Sequence, residues 1–176
     1  MINWLKEVIL SRVYTKTIKN TVVPDNIRSS KDLKNISIIL DHSLGIDKER
    51  FKEIGTYFNI PRKNIRVLTF FQSPKQIEES NEGSSCLPKN ISCFGILSGI
   101  LPDFCNHGSD VLINFYDQDD INMKYVSAKT KKKISIGFKS VDNALNDLII
   151  DVDAQNIDIF VNECIKYLKI FFKNKK

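Results

Sequence analysis

Residues 109–138 read SDVLINFYDQDDINMKYVSAKTKKKISIGF. An apolar run at 111–116 leads into an acidic corner of Asp117, Asp119 and Asp120. A short amphipathic segment follows, with Met123, Tyr125 and Val126 as its inward residues. A basic corner comes next, and then a second apolar run at 134–138. Two parallel strands cannot be joined by a tight turn. They need a crossover, usually helical. The stretch therefore predicts a strand–helix–strand unit at the centre of an α/β domain.

The same rhythm extends in both directions. ISIILD at 36–41 has apolar residues on both sides of the alternation, as expected for a strand covered on both faces. Residues 46–58 predict a helix with Phe51, Ile54 and Phe58 on one face, and Asp47 suits its start, where a carboxylate meets free N–H groups. IRVLTFF at 65–71 completes a βαβ unit. The stretch 72–108 is harder to read. It predicts a turn or two of helix at 74–80, a loop at 81–89, a short edge strand at 91–95 and a short helix at 100–106 with Pro102 in its first turn. LIIDV at 148–152 is the fifth strand. The gap after 138 is short for a helical crossover, so this strand is either antiparallel or reached by a brief loop. Residues 156–173 form the most clearly amphipathic helix, with Ile157, Val161, Cys164, Leu168 and Phe171 spaced by fours and threes.

At the other end, residues 1–20 predict an amphipathic helix. Ile2, Leu5, Ile9 and Val13 make one apolar row and Leu10, Tyr14 and Ile18 a second. Pro24, Asp25, Asn26 and two serines mark 21–35 as a linker, which leaves 36–176 as the α/β domain. The expected architecture is a three-layer α/β fold, Rossmann-like or flavodoxin-like, with a mostly parallel sheet of about five strands and an extra N-terminal helix.

Composition narrows the chemistry. The chain has 176 residues, 42% of them apolar and 27% charged, with a net charge of +5. That bias is weaker than a dedicated nucleic-acid binder shows. The four cysteines form no C-x-x-C pair and there are two histidines, so no metal site is expected. Scattered cysteines, and an N-terminus interrupted by Lys6, Glu7 and Arg12, suit a cytoplasmic protein rather than a secreted one. No run of about 18 apolar residues is present to span a membrane. Neither G-x-x-x-x-G-K-[ST] nor G-x-G-x-x-G occurs, so no nucleotide cofactor is expected through those devices.

In open α/β sheets, ligands sit beyond the carboxyl ends of the strands. The candidate catalytic or ligand residues there are Asp41 and Ser43 after the first strand and Asp117 and Asp119 after the third. Asp41, His42 and Ser43 cannot form a triad among themselves, because successive residues of a strand point to opposite faces. The plainer reading of Asp41 and of the acidic corner is helix capping and turn chemistry. The candidate partner-binding residues are Lys129, Lys131, Lys132 and Lys133 in the basic corner, and Arg12, Lys16 and Lys19 on the N-terminal helix. Such groups suit phosphate backbone or an anionic surface.

The segments DVLINFY (110–116), SAKTKKKISIGF (127–138), NDLIIDV (146–152) and the helix containing ECIKYLKI (163–170) resemble an uncharacterised family of Bacteroidota-type bacteria over roughly residues 36–173. The resemblance implies a bacterial, cytoplasmic setting and no catalytic residues. ISIGF is also similar to a strand in the N-terminal Rossmann-like half of heptosyltransferase-type glycosyltransferases. This likeness concerns the fold, since the second, nucleotide-sugar-binding half has no counterpart in the sequence. The expected function is a non-enzymatic basic α/β protein that docks on an acidic partner, either RNA, a ribonucleoprotein or a membrane-associated complex, with peripheral membrane contact through residues 1–20. The alternatives are a small enzyme or ligand-binding domain using the ends of strands one and three, and a scaffold subunit that docks through residues 1–20.

Overall fold

A computed structural model describes residues 2–20, 32–80 and 84–172. Residues 21–31 of the expected linker and 81–83 of the expected loop lie outside the described residues. Six strands build one sheet: β1 (Ile36–Asp41), β2 (Ile65–Phe70), β3 (Ser85–Cys86), β4 (Ser109–Phe115), β5 (Lys132–Phe138) and β6 (Leu148–Ile150). Their order is β3-β2-β1-β4-β5-β6, and every pairing is parallel. The helices are α1 (Ile2–Asn20), α2 (Lys52–Phe58), α3 (Pro74–Ser80), α4 (Leu101–His107), α5 (Ile121–Lys129) and α6 (Ile157–Phe171). The result is a three-layer, Rossmann-like α/β fold with an N-terminal helix.

The central strands β1 and β4 are buried along their whole length, because helices cover both faces. Ile36, Ile38, Leu40, Val111, Ile113, Phe115, Ile136 and Phe138 pack with residues of α2 and α6. Ile39, Leu68, Phe70, Leu112 and Tyr116 pack with α1, α4 and α5. Strand register confirms the alternation: Ile36 lies beside both Ile65 and Val111, and Val111 beside Ile134.

Helix α5 is more enclosed than its sequence pattern suggests. All residues from Asn122 to Ala128 are buried, because α1 lies over α5 as an outer layer. Of the two apolar rows on α1, the second is seated more deeply, with Val13 the member of the first row that packs against the core. Leu10 and Tyr14 are buried, while Leu5 in the first row is exposed.

Three local expectations change and one open choice is decided. The helix read at 46–58 begins as a 3₁₀ turn, Lys48–Phe51, and becomes α-helical only at Lys52; Asp47 does cap it, accepting the Glu49 N–H at 2.9 Å. The loop read at 81–89 contains β3, two residues paired with Thr69 and Phe70 and too short to leave an alternation. The edge strand read at 91–95 is not part of the sheet: Ile91 and Leu97 form an isolated antiparallel bridge that closes a turn. Finally, the last strand is parallel, so the brief-loop alternative holds.

That brief crossover, residues 139–147, does what a helix would otherwise do. Val141 and Leu145 are buried against the sheet. The Asp147 carboxylate accepts both the N–H and the hydroxyl of Ser135, at 2.9 and 2.8 Å. Asn114 Nδ2 donates to Asn146 Oδ1 at 2.7 Å. Asn146 lies directly over Gly137, where a Cβ would stand 2.5 Å from its Nδ2. Gly137→Ala should therefore lower the unfolding free energy by ~1–3 kcal/mol, the usual cost of overpacking. Urea titration measures it. A variant as stable as the parent would mean that the crossover shifts freely.

Candidate functional site

Two places concentrate polar groups: the carboxyl edge of the sheet with the underside of α1, and the cationic surfaces. The sheet order reverses between β1 and β4, which puts the topological switch point there. At the end of β1, Asp41 is buried and its carboxylate accepts the Ser43 N–H at 2.8 Å, while the Ser43 side chain is exposed. The His42 ring lies 4.4 Å from that of Phe71. After β4, Asp120 caps α5, its Oδ1 accepting from the N–H groups of Asn122 and Met123 at 2.7 and 3.0 Å. Asp119 pairs with Lys124 at 2.7 Å. The Lys124 ammonium lies 5.2 Å over the ring of Tyr14, whose hydroxyl donates to Asp142 at 2.8 Å. Burial, and then the Asp142 carboxylate, push the Tyr14 hydroxyl well above its ordinary pKa.

This network joins α1, α5 and the β5–β6 crossover, and it accounts for part of the acidic corner. Asp41 and Asp119 are engaged within the fold. Asp117 differs, since its Oδ1 is buried without a partner among the described residues. Among the described residues, the other buried side-chain polar atoms without a partner are Asn114 Oδ1, Tyr116 Oη, Asn122 Oδ1, Ser127 Oγ and Asn146 Nδ2, all on β4, directly after it, on α5 or on the crossover. The Tyr116 hydroxyl has the Ser127 hydroxyl as its polar neighbour. Burial drives the Tyr116 hydroxyl to a strongly raised pKa.

Two clefts flank α1 at this edge. One, of about 590 Å³, is lined by Lys6, Glu7, Gln72, Lys89, Asp120 and Asn122 among others, and Lys6 Nζ donates to the Pro88 carbonyl at its rim. The other, of about 630 Å³, is lined by Trp4, Glu7, Arg12, Asp119, Asn122 and Lys124 among others. Asp41, Ser43 and Asp117 line neither cleft, so the four candidate residues do not converge on one cavity. Among the described residues, no group of three His, Cys, Asp or Glu side chains could hold a metal ion. Cys86, Cys105 and Cys164 are buried, which pushes their thiols up and away from the reactive thiolate.

The basic corner divides. Lys129 and Lys131 are exposed. Lys132 Nζ donates to the Ser127 carbonyl at 2.6 Å, and Lys133 pairs with the buried Asp110 at 2.6 Å. The corner lies at the amino edge of the sheet, opposite the switch point, beside a cleft of about 350 Å³ lined by His107, Asp110 and Lys131 among others.

Desolvation pulls Lys132 down to about 8. Its folded pKa is thus below the unfolded value, so the unfolded chain binds the proton more tightly. The resulting penalty is fully present below pH ~8 and fades as pH rises towards the ordinary lysine value. Between pH 8 and 10, Lys132→Met should remove a stability gain that the parent shows. Melting temperatures of both proteins across that range test it, and parallel curves would contradict it.

On α1, Arg12, Lys16 and Lys19 are exposed, and none makes a hydrogen bond or ion pair with a described residue. Among the described residues, no helix is long and apolar enough to cross a membrane. Sequence reasoning missed the Tyr14–Asp142 and Asp119–Lys124 links, which depend on α1 lying over α5. Asn114 was a visible signal: an amide in an otherwise apolar strand needs a partner.

Fold and surface together define a Rossmann-like α/β domain that carries a cationic N-terminal helix on its outside. The chain belongs to DUF6913, a family of unknown function, whose profile matches residues 6–171. No curated protein and no solved structure matches it significantly.

Proposed function

We propose that this protein is a non-enzymatic α/β docking module that holds an acidic partner against the outer face of α1. One observation carries the reading. Arg12, Lys16 and Lys19 project from a helix whose opposite face is anchored by Leu10 and Tyr14, and they have no partner among the described residues. Solvated cations on a fixed scaffold attract anions without a conformational cost. Lys129 and Lys131 add to the cationic surface. Lys132 and Lys133 contribute less, because their ammonium groups are engaged inside the fold. The resemblance of the β4, β5 and α6 segments supports a cytoplasmic role in Bacteroidota-type bacteria. The likeness to half of a heptosyltransferase bears on the scaffold alone. A scaffold subunit docking through residues 1–20 would use the same face with a protein as its partner.

Heparin chromatography of the intact chain tests the reading with a defined polyanion. Arg12→Glu/Lys16→Glu/Lys19→Glu should elute at clearly lower salt than Lys132→Glu/Lys133→Glu variants that remain folded. Equal elution of the α1 triple variant and the parent would contradict it.

A second reading is a small-ligand domain at the carboxyl edge. It is supported by Asn122, which is buried, lines both clefts beside α1, and has an Oδ1 with no partner among the described residues. Thermal shift with mononucleotides, sugar phosphates and amino acids tests it. A stabilising compound whose effect disappears in Asn122→Ala would support it, and no shift across the panel would count against it.

A further inference from the structure

We propose that the acidic partner is an anionic lipid surface, met by α1 together with the turn at 92–96; this rests on α1 being the docking face. The cations do not stand alone there. Trp4 and Leu5 on α1 are 67% and 54% exposed, and Phe94 and Ile96 are 70% and 68% exposed. These four are among the most exposed large apolar side chains of the described residues. The turn is fixed beside the helix. The Tyr125 hydroxyl donates to the Gly95 carbonyl at 2.8 Å, and a Cβ on Gly95 would stand 3.1 Å from Val13 of α1. At about 100° per residue, Val13 sits between the buried side of α1 and the side that carries Lys16, so the turn flanks the cationic face on one side and Trp4 flanks it on the other. Phe94 and Ile96 adjoin Gly95 and extend that flank outward.

The chemistry selects among anions. A bilayer interface takes an aromatic or aliphatic side chain into the headgroup boundary while lysine and arginine remain with the lipid phosphates. Trp4 and Phe94 could stack on unpaired bases, but Leu5 and Ile96 have no such role on nucleic acid. Arg12, Lys16 and Lys19 supply charge attraction that falls off within a Debye length. Shallow apolar contact plus a few cations gives reversible peripheral binding, in keeping with the lack of a spanning helix among the described residues.

The test is co-sedimentation of the full chain with phosphatidylglycerol/phosphatidylcholine vesicles and with pure phosphatidylcholine vesicles, at low and high salt, alongside filter binding to transfer RNA. The expected result is binding to the anionic vesicles alone. Arg12→Glu/Lys16→Glu/Lys19→Glu should weaken it by about 100-fold, from roughly fivefold per cation. Trp4→Ser/Phe94→Ser/Ile96→Ser should weaken it about tenfold or more and leave heparin elution unchanged. All six positions are exposed, and circular dichroism confirms that the variants fold. Binding to RNA but not to vesicles overturns the lipid assignment and leaves docking through α1 standing. Vesicle binding that ignores the apolar substitutions also overturns it. No binding to vesicles, RNA or heparin overturns both.

Discussion

Replacing Phe115 by alanine should lower the unfolding free energy by ~3–5 kcal/mol, the range for emptying a buried aromatic site. Phe115 ends β4 and is fully buried. Its ring meets those of Phe51, Phe138 and Phe160 edge-on, each at a centroid distance of 5.0 Å. Those residues come from the turn before α2, from β5 and from α6, so a single side chain ties the sheet to both helices on that face. Edge-to-face pairs add to the burial itself. The surrounding helices cannot collapse into the gap without breaking strand contacts, which places the cost at the high end. Urea denaturation should move the midpoint with an unchanged slope. Phe171→Ala, at an exposed position on α6, serves as the control and should stay within about 0.5 kcal/mol. A loss below about 1 kcal/mol for Phe115→Ala would mean that this face is loosely packed.

Asp110→Ala should cost about 3 kcal/mol or more, although aspartate inside a strand looks dispensable. Asp110 is buried near the start of β4. One carboxylate oxygen accepts the N–H groups of Lys34 and Asn35 at 2.7 and 3.0 Å, and the other pairs with Lys133 at 2.6 Å. Truncation would leave two amides without partners and the half-buried Lys133 ammonium without its counter-ion, and these losses add. Asp110→Asn should be milder, because an amide oxygen can keep one N–H bond. The companion variant Lys133→Ala separates two roles for the basic corner. It should destabilise the fold while reducing heparin retention less than Lys16→Ala. The reverse ranking would return Lys133 to the docking surface.

The order of elements was legible because strands buried on both faces leave unmistakable apolar runs. ISIILD and VLINFY are such runs, and they are the two strands at the switch point. Helix α6 was legible from its stripe, since its outer face meets water, but the stripe closes on Phe160 and Phe172 while Phe171, read as its last member, is exposed. Helix α5 was misjudged for the opposite reason. With α1 above it and the sheet below, it has no solvent face to set a period. β3 could not be read, because two residues carry no alternation. The basic corner shows the limit for surface chemistry. Four lysines look alike in sequence, yet the alternation of β5 and the position of Asp110 decide which two are engaged inside. The exposure of Leu5 was equally hidden, because α1 carries two apolar rows and only packing chooses between them.

Trp4 is the chain's single tryptophan and stands on the proposed docking face, so its fluorescence reports that face directly. Anionic vesicles added to the intact protein should shift Trp4 emission to the blue and shield it from acrylamide. Neither effect should appear with neutral vesicles or in Arg12→Glu/Lys16→Glu/Lys19→Glu. Trp4 emission and quenching that stay those of an exposed indole while the protein sediments with the vesicles would contradict docking through α1.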